Sequence, residues 1–168
     1  METERLIIDR LTPDDRHDYF TNISHDCEVL KTFVCRYAEK EEDVDISNYV
    51  NSQGMFAIRL KQTGQMIGII LYFDEKPDSC EVGYGIGSRY WNRGYVTEAL
   101  RCFLDYLFEE RKMKIVYASF FPENKASEAV MKKCGMSYDH YSAREMTYLG
   151  IERDLIYYSI TKGNVPAI

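Results

Sequence analysis

Residues 81–107 read EVGYGIGSRYWNRGYVTEALRCFLDYL, and two kinds of secondary structure meet within this stretch. Its first six residues, Glu81 to Ile86, predict a strand, in which Gly83 and Gly85 are typical of a bulge or of close approach by a ligand. From Val96 onward, apolar residues recur at the i, i+3, i+4, i+7 spacing of a helix with one buried face. The stretch therefore predicts a strand that passes through a glycine-containing loop into an amphipathic helix.

The segments on either side of this stretch complete an ordered series of predicted elements. The order is strand, helices, three antiparallel strands, helix, strand, helix and two strands, which is typical of a mixed α/β sheet and not of a doubly wound one. The predicted strands are Leu6 to Leu11, Met55 to Leu60, Met66 to Phe73, Glu81 to Ile86, Met113 to Phe121, Tyr141 to Leu149 and Asp154 to Ile160. Helical structure is predicted in four places. Short helical segments begin at Thr12-Pro13 and follow through Val34, and another lies around Glu41 to Asn51. A longer helix runs from Val96, and a short one covers Asn124 to Lys133.

Length and composition limit the classes of protein to which the chain can belong. With 168 residues, of which 45% are apolar and 29% charged, the chain resembles a soluble globular protein of one domain, predicted over residues 1–168. The net charge of −6 argues against a sequence-independent nucleic-acid binder, which normally presents a basic face. The same charge is compatible with a cationic amine as substrate, although solubility alone is the more general explanation.

The cysteines predict the compartment of the protein. The apolar runs and the histidines argue against a membrane-spanning segment and a metal site, respectively. Five cysteines without a Cys-x-x-Cys pair, together with the lack of a secretory segment, predict reduced thiols in a cytoplasmic protein. No apolar run approaches the ~20 residues that span a bilayer, so no membrane association is expected. The three histidines are scattered without the spacing of zinc ligands, so no metal site is expected.

The loop between the predicted strand and the predicted helix has the properties of an anion site. A loop that enters a helix N-terminus presents unpaired backbone N–H groups at the positive end of the helix dipole, which suits a phosphate or pyrophosphate. Gly94 lets the backbone approach an anion closely, and Arg89 and Arg93 are expected to add positive charge. The stretch contains neither a P-loop nor the glycine pattern of a dinucleotide-binding fold.

The sequence YWNRGYVTEA, from Tyr90 to Ala99, resembles the acetyl-CoA pyrophosphate loop of the GNAT acetyltransferases, in particular the branch typified by the ribosomal-protein N-terminal acetyltransferases RimJ and RimL. The resemblance implies a GNAT-type mixed, mainly antiparallel central sheet, flanked by helices and splayed between its fourth and fifth strands. It also implies acetyl transfer from acetyl-CoA to a primary amine. Further matching segments extend it over essentially the whole chain: Arg5-Leu6, Glu81-Val82-Gly83-Tyr84, Asn124-Lys125-Ala126-Ser127 and Lys133-Cys134-Gly135-Met136.

The resemblance places acetyl-CoA on the loop and on two other segments. The pyrophosphate is expected on the backbone amides between Arg93 and Thr97, which reconciles a polyanionic cosubstrate with an acidic protein. A backbone N–H near Tyr84 to Ile86 is expected to stabilise the developing oxyanion, and one such donor is worth about 3 kcal/mol of barrier. The predicted acetyl-CoA-binding residues are Tyr84, Ile86, Trp91, Asn92, Arg93, Gly94, Tyr95, Val96, Thr97 and Asn124.

Two side chains are predicted to handle protons during the transfer. Glu81 is the candidate general base, acting through water, and a strand-surface carboxylate or an ion-pair partner is the alternative interpretation. Ser127 is the candidate acid toward the leaving thiolate, although a polar residue in the first turn of a helix capped by Asn124 is the favoured interpretation. No histidine is placed to activate a cysteine, so the amine is expected to attack directly in a ternary complex.

Several positions depart from the family pattern. Asn92 replaces the first glycine of the loop, Val96 replaces a small residue, and Met136 replaces an aromatic residue. Met131 lies where many relatives carry a tyrosine proposed as the general acid, so no tyrosine takes that role here. These departures motivate an alternative hypothesis, a non-catalytic module that binds acyl-CoA.

The acceptor amine is the least specified part of the prediction. A protein N-terminal α-amine is the acceptor implied by the RimJ and RimL branch, and a small amine such as a polyamine, an amino sugar or an amino acid is the alternative. An α-amine has a reference pKa of about 8, against about 10.4 for lysine, so it loses its proton with little help from a base. The resemblance is also compatible with a homodimer.

Overall fold

The computed structural model describes residues 1–148 and 150–164; Leu149, the predicted end of one strand, and residues 165–168 of the predicted domain lie outside them. The strands within the described residues are β1 (Leu6–Arg10), β2 (Met55–Leu60), β3 (Met66–Phe73), β4 (Ser79–Ile86), β5 (Ile115–Phe120), β6 (Ser137–Tyr148) and β7 (Ile151–Thr161). The α-helices are α1 (Arg16–Tyr19), α2 (Ser47–Val50), α3 (Tyr95–Glu109) and α4 (Lys125–Lys133).

The strands form one sheet in the order β1-β2-β3-β4-β5-β7-β6. The pairs β1–β2, β2–β3, β5–β7 and β6–β7 are antiparallel, whereas β4 and β5 are parallel. The parallel register ends at Val82↔Ala118, although β4 continues to Ile86 and β5 to Phe120. The predicted mixed, mainly antiparallel sheet with its divergence between the fourth and fifth strands is therefore confirmed.

Contacts between residues group the chain into two compact units. The first unit comprises Met1–Leu71 and Tyr84–Cys102. In its core, β1 buries alternate residues, whereas residues at the start of β2 and of β3 are buried in succession. Apolar side chains of the short helical segments between β1 and β2 complete this core. Those segments bury Tyr19, Ile23 and Val44, which explains why a stretch with little regular helix is nevertheless ordered against the sheet.

The second unit comprises Tyr72–Gly83 and the residues from Phe103 onward. In β5 every second residue is buried, and the intervening residues, Tyr117 and Ser119 among them, are only half-buried. The alternation follows from the two-residue period of a strand, which sends successive side chains to opposite faces. The second unit therefore has an apolar face and a more polar face, and the polar face carries the candidate chemistry.

The predicted elements agree with the structure in kind and differ at their ends. β2 and β3 have the predicted bounds, and α3 begins one residue before Val96. The predicted helix around Glu41 to Asn51 is reduced to a 3-10 turn and the single turn of α2. β6 begins at Ser137, four residues before the predicted start, because pairing with β7 extends it.

Gly68 marks a close approach of two strands in the first unit. A Cβ atom at this position would lie 2.9 Å from the Cα atom of Ile86 and would collide with the carbonyl oxygen of Gly85. Both obstacles are backbone atoms of β4, so a side chain here would force the strands apart. Glycine at position 68 is therefore a requirement of packing.

Candidate active site

The segment Trp91–Thr97, termed the glycine loop, comprises the turn before α3 and the first three residues of that helix, in the first unit. Asn92 and Gly94 have backbone φ angles of +59° and +79°, in the left-handed region. Asparagine and glycine tolerate this conformation better than most residues, so Asn92 serves where the family pattern has glycine. The loop closes onto the helix through a hydrogen bond from the Glu98 N–H to the Gly94 carbonyl, 3.0 Å long.

The start of α3 is the anion-binding feature of the glycine loop. The first N–H groups of a helix have no partner within the helix, and the dipole of the 15-residue α3 concentrates positive potential on them. The side chain of Arg93 is exposed and makes no ion pair or hydrogen bond within the described part of the chain. The site is therefore built mainly from backbone, with Arg93 able to add charge.

Glu98 ties the glycine loop to the N-terminal segment. Its carboxylate accepts hydrogen bonds from Thr3 Oγ1 at 2.5 Å, from the Arg5 N–H at 2.9 Å and from Arg5 Nε at 2.7 Å. Arg5 Nη1 also donates to the carbonyl of Arg93 at 3.0 Å. Burial alone would raise the pKa of Glu98, but the bonds from Thr3 and Arg5 outweigh it and lower that pKa. Glu98 therefore has a structural role, as an anionic anchor for the loop.

The turn that precedes the glycine loop is fixed by buried polar side chains. Asn22, which is 1% exposed, donates to the carbonyl of Met66 at 2.7 Å and accepts from Arg89 Nη2 at 2.6 Å. Asp26 accepts a bond from the Ser88 N–H at 2.8 Å. Arg89, expected from the sequence to add charge to the anion site, is held by two hydrogen bonds to the amide oxygen of Asn22. Sequence reasoning missed Asn22 because its partners lie 44 and 67 residues away.

The other predicted acetyl-CoA-binding residues of the first unit are Tyr84 and Ile86, in the second half of β4, and Trp91. Ile86 is buried and Tyr84 is half-buried. The indole Nε1 of Trp91 donates to the carbonyl of Ile86 at 2.9 Å, while 40% of the residue stays exposed. Gly85, expected from the sequence to mark a bulge or close approach by a ligand, lies against the ring of Phe33, which a Cβ atom would meet at 3.1 Å.

Glu81 lies on the first half of β4, on the polar face of the second unit. Ser119 Oγ donates a hydrogen bond of 2.5 Å to Glu81 Oε1. Burial raises the pKa of Glu81 and outweighs the opposing effect of the Ser119 bond; the negative charges of Asp74 and Glu145 raise it further. A carboxylate with a raised pKa is a better proton acceptor near neutral pH than an ordinary one.

A cavity of about 240 Å³, termed the carboxylate cavity, opens beside Glu81 in the second unit. Asp74 and Lys76 line one part of it, and the rings of Tyr117, Tyr157 and His140 line another. His140 stacks on Tyr157 with ring centroids 4.3 Å apart and planes 6° from parallel. Burial, and then the charge of Glu81, raise the pKa of Tyr157 to about 12, so its hydroxyl stays protonated. Carboxylates and aromatic faces together suit a cationic amine.

Asn124 and Ser127 lie at the start of α4 in the second unit. Asn124 Oδ1 accepts a bond of 3.1 Å from the Ser127 N–H, so the predicted helix cap is present. Ser127 is half-buried and Met131, one turn further along, is buried at 1% exposure. The buried thioether of Met131 has no proton to donate, so Met131 does not serve as the general acid.

Residues 1–148 and 150–164 contain neither a candidate metal site nor a candidate membrane-spanning helix. No group of three or more His, Cys, Asp and Glu side chains within them is arranged to hold a metal ion. No helix formed by these residues combines the length and the apolar character needed to cross a membrane.

Comparison with known proteins identifies the family. Residues 5–137 match the model of the acetyltransferase (GNAT) domain. The chain belongs to the GNAT acetyltransferases. This enzyme therefore uses acetyl-CoA as cosubstrate and transfers the acetyl group to an amine.

This acetyltransferase is similar to individual relatives over nearly its whole length. It is 26% identical over 171 residues to YoaA of Bacillus subtilis (strain 168), an uncharacterized N-acetyltransferase, and the match covers 96% of each chain. It is 31% identical over 102 residues to YdaF of the same organism, named as a ribosomal N-acetyltransferase; this match covers 59% of the chain and 55% of YdaF. The crystal structure of a GNAT-family acetyltransferase from Bacillus anthracis superposes with a TM-score of 0.84 at 28% identity, covering 96% of this chain and 97% of that one.

Proposed function

We propose that this acetyltransferase modifies the α-amine of a protein N-terminus by direct attack in a ternary complex. The observation that carries the proposal is Glu81, a half-buried carboxylate with a raised pKa that lines the carboxylate cavity. An α-amine, with a reference pKa of about 8, needs only such a base to become nucleophilic. The resemblance to the RimJ and RimL branch and the name of YdaF support a protein acceptor.

The glycine loop holds acetyl-CoA in this proposal. The backbone amides from Arg93 through Gly94, Tyr95 and Val96 to Thr97 receive the pyrophosphate, and the side chain of Arg93 adds charge. Asn92 contacts the cosubstrate beside them. Trp91 packs beside the loop, and Asn124 contacts the cosubstrate while it caps α4. A backbone N–H in the segment Tyr84 to Ile86 stabilises the oxyanion that develops on the thioester carbonyl.

The proton balance of the proposed transfer uses Glu81 and Ser127. The amine nitrogen forms a bond to the thioester carbon as the carbon–sulfur bond breaks, and Glu81 takes the excess proton of the nitrogen through water. The Ser127 hydroxyl donates a proton to the leaving thiolate and recovers one from solvent. Because Ser127 lies in the first turn of a capped helix, its contribution is expected to be smaller than that of Glu81.

A small cationic amine is the second candidate acceptor. Glu81 places a carboxylate on the carboxylate cavity, and Tyr117 and Tyr157 add aromatic faces, a combination that suits an ammonium group. Asp74 adds a second carboxylate, which Lys76 pairs at 3.2 Å. Thiol release from acetyl-CoA, measured with a panel of peptides with free N-termini and with spermidine, separates the candidates. Turnover of peptides but not of their N-terminally blocked forms supports the proposal, and turnover of spermidine alone overturns it. Binding of CoA without turnover of any amine favours the non-catalytic module.

Three broader expectations belong to the same proposal. We propose that residues 1–168 act as a single N-acetyltransferase domain, that the enzyme works in the cytoplasm, and that it forms a homodimer. The reduced state of all five cysteines is consistent with that compartment, since Cys27, Cys35, Cys80, Cys102 and Cys134 are free thiols.

A further inference from the structure

A second cavity lies in the first unit, among the short helical segments between β1 and β2. Its volume is about 180 Å³, and Tyr19, Ser24, Arg36, Asp45 and Tyr49 are among the residues that line it. We term it the tyrosine cavity. None of its lining residues belongs to the glycine loop, and the proposed acetyl transfer uses none of them.

Ser24 is a buried residue in the lining of the tyrosine cavity. The residue is 2% exposed, and its hydroxyl makes no hydrogen bond to any described residue. The backbone around it is fixed, because the Ser24 carbonyl accepts from the Ala38 N–H at 3.0 Å and the Ala38 carbonyl bonds His25 Nδ1 at 2.9 Å. Because Ser24 and Ala38 both line the cavity, these bonds fix the shape of that part of its wall.

Aromatic rings form the apolar part of the tyrosine cavity. The rings of Tyr19 and Tyr49 lie 5.1 Å apart between centroids, at an interplanar angle of 31°. At the rim, Tyr37 stacks on His25 at 5.6 Å, and His25 stacks on Phe20 at 4.7 Å. The stack keeps Tyr37 in place although the residue is half-exposed, so an apolar group entering the cavity meets preformed aromatic surface.

Charges of both signs surround the tyrosine cavity. The guanidinium of Arg36 makes no ion pair or hydrogen bond within residues 1–148 and 150–164. Asp43 Oδ2 accepts from the Lys40 N–H at 3.1 Å, and Asp45 Oδ1 accepts from the Ser47 N–H at 3.0 Å. The second oxygen of each carboxylate has no partner in the same ranges. Arg36 is therefore available for a carboxylate, and the two aspartates are available for an ammonium group.

We propose that the tyrosine cavity binds a free α-amino acid with an apolar or aromatic side chain. Arg36 receives its carboxylate, Asp43 and Asp45 receive its ammonium group, and the Tyr19–Tyr49 pair contacts its side chain. The cavity is smaller than the ~300–1,000 Å³ of pockets for drug-sized ligands, which suits a single amino acid better than a folded peptide segment.

The experiment measures the affinity of the full chain for three probes of similar shape by calorimetric titration without acetyl-CoA. L-phenylalanine carries both charged groups, 2-phenylethylamine lacks the carboxylate, and 3-phenylpropanoate lacks the ammonium group. We expect L-phenylalanine to bind at least about tenfold more tightly than either half-probe, because each lost ion contact costs about 1.4 kcal/mol or more.

Two variants and a control locate the binding. Arg36→Gln should weaken L-phenylalanine binding about tenfold or more. Asp45→Asn should weaken it severalfold, because it removes one of the two carboxylate charges that receive the ammonium group while its Oδ1 can still accept from the Ser47 N–H. Arg144→Gln, at an exposed arginine of β6 in the second unit, should leave binding unchanged.

Three outcomes overturn the proposal. Lack of L-phenylalanine binding up to about 10 mM would mean that the cavity holds only water, since the affinity would be weaker than about 3 kcal/mol. Equal binding of all three probes, or binding unaffected by Arg36→Gln, would place the probe elsewhere. Acetylation of L-phenylalanine that Glu81→Gln abolishes and Arg36→Gln does not would assign it to the acceptor site instead.

Discussion

The glycine loop of the first unit and the carboxylate cavity of the second unit are built from different materials. The loop offers backbone N–H groups and a helix dipole, positioned by the left-handed residues Asn92 and Gly94. The cavity offers side chains, with Glu81 hydrogen-bonded to Ser119 and Tyr157 stacked on His140. A binding site made of backbone groups loses affinity when an added side chain fills its space. A site made of side chains loses its chemistry when one functional group is replaced by another of the same size.

The largest effect is expected where a side chain is added to the backbone site. Gly94→Trp should weaken acetyl-CoA binding about 100-fold or more, close to 2.7 kcal/mol, because the new ring fills the space that the loop leaves for an anion. Calorimetric titration of acetyl-CoA measures the effect. The matched control is Gly64→Trp, at another first-unit glycine with a positive φ of +73° and no atoms within 4 Å of its added Cβ.

Arg93→Ala sharpens the same test, because it removes a charge and leaves the backbone amides in place. If the amides and the dipole supply most of the positive potential, this variant should weaken acetyl-CoA binding less than about tenfold. A loss as large as that of Gly94→Trp would show that the arginine side chain dominates. Full affinity in a folded Gly94→Trp protein would refute the assignment of the loop.

The next effect is expected from an isosteric exchange in the side-chain site. Glu81→Gln keeps the size of the side chain and its ability to accept the Ser119 bond, but it cannot take a proton. The kcat for the transfer should fall about 100-fold, within the range for loss of a general base, while acetyl-CoA binding stays unchanged. Steady-state kinetics with a peptide acceptor and acetyl-CoA titration measure the two quantities, and an undiminished kcat would remove Glu81 from the mechanism.

The stability of Glu81→Gln provides an independent check with a definite sign. A carboxyl whose pKa is raised by folding stabilises the protein at a pH below its unfolded pKa, and that contribution disappears as the pH rises through the folded pKa. Glutamine is neutral at every pH. The variant should therefore gain stability relative to the wild type as the pH rises toward neutrality, and the gain should vanish in acid, in melting curves over that range.

The two sites also differ in how far the sequence predicts them. The glycine loop is local: a strand, a glycine and a helical period occur within residues 81–107, and the structure places them as expected. The carboxylate cavity joins residues far apart in the chain. Glu81 and Ser119 meet because β4 and β5 pair, and His140 faces Tyr157 because β6 and β7 pair. A period or a motif in one segment contains no information about such partners.

The same distinction applies to single residues near the loop. The position of Arg89 predicts a positive charge close to the anion, and only the structure shows that the buried amide of Asn22 accepts two hydrogen bonds from it. Gly85 predicts a bulge or close approach by a ligand, and only the structure shows the ring of Phe33 against it. In both cases the partner comes from the irregular segment between β1 and β2. Its weak helical pattern predicts buried residues poorly, because tertiary contacts and not local periodicity hold it.

The smallest effect is expected at Ser119, and it tests whether a long-range partner tunes the base. The hydrogen bond from Ser119 stabilises the charged form of Glu81, so Ser119→Ala should raise the pKa of that carboxyl above its already raised value. Glu81 acts as a carboxylate, so the acidic limb of the kcat profile should move to higher pH. Activity should fall severalfold on that limb and little at alkaline pH. Ser119→Thr, which keeps the hydroxyl, should restore the limb, whereas a purely structural serine would lower kcat equally at every pH.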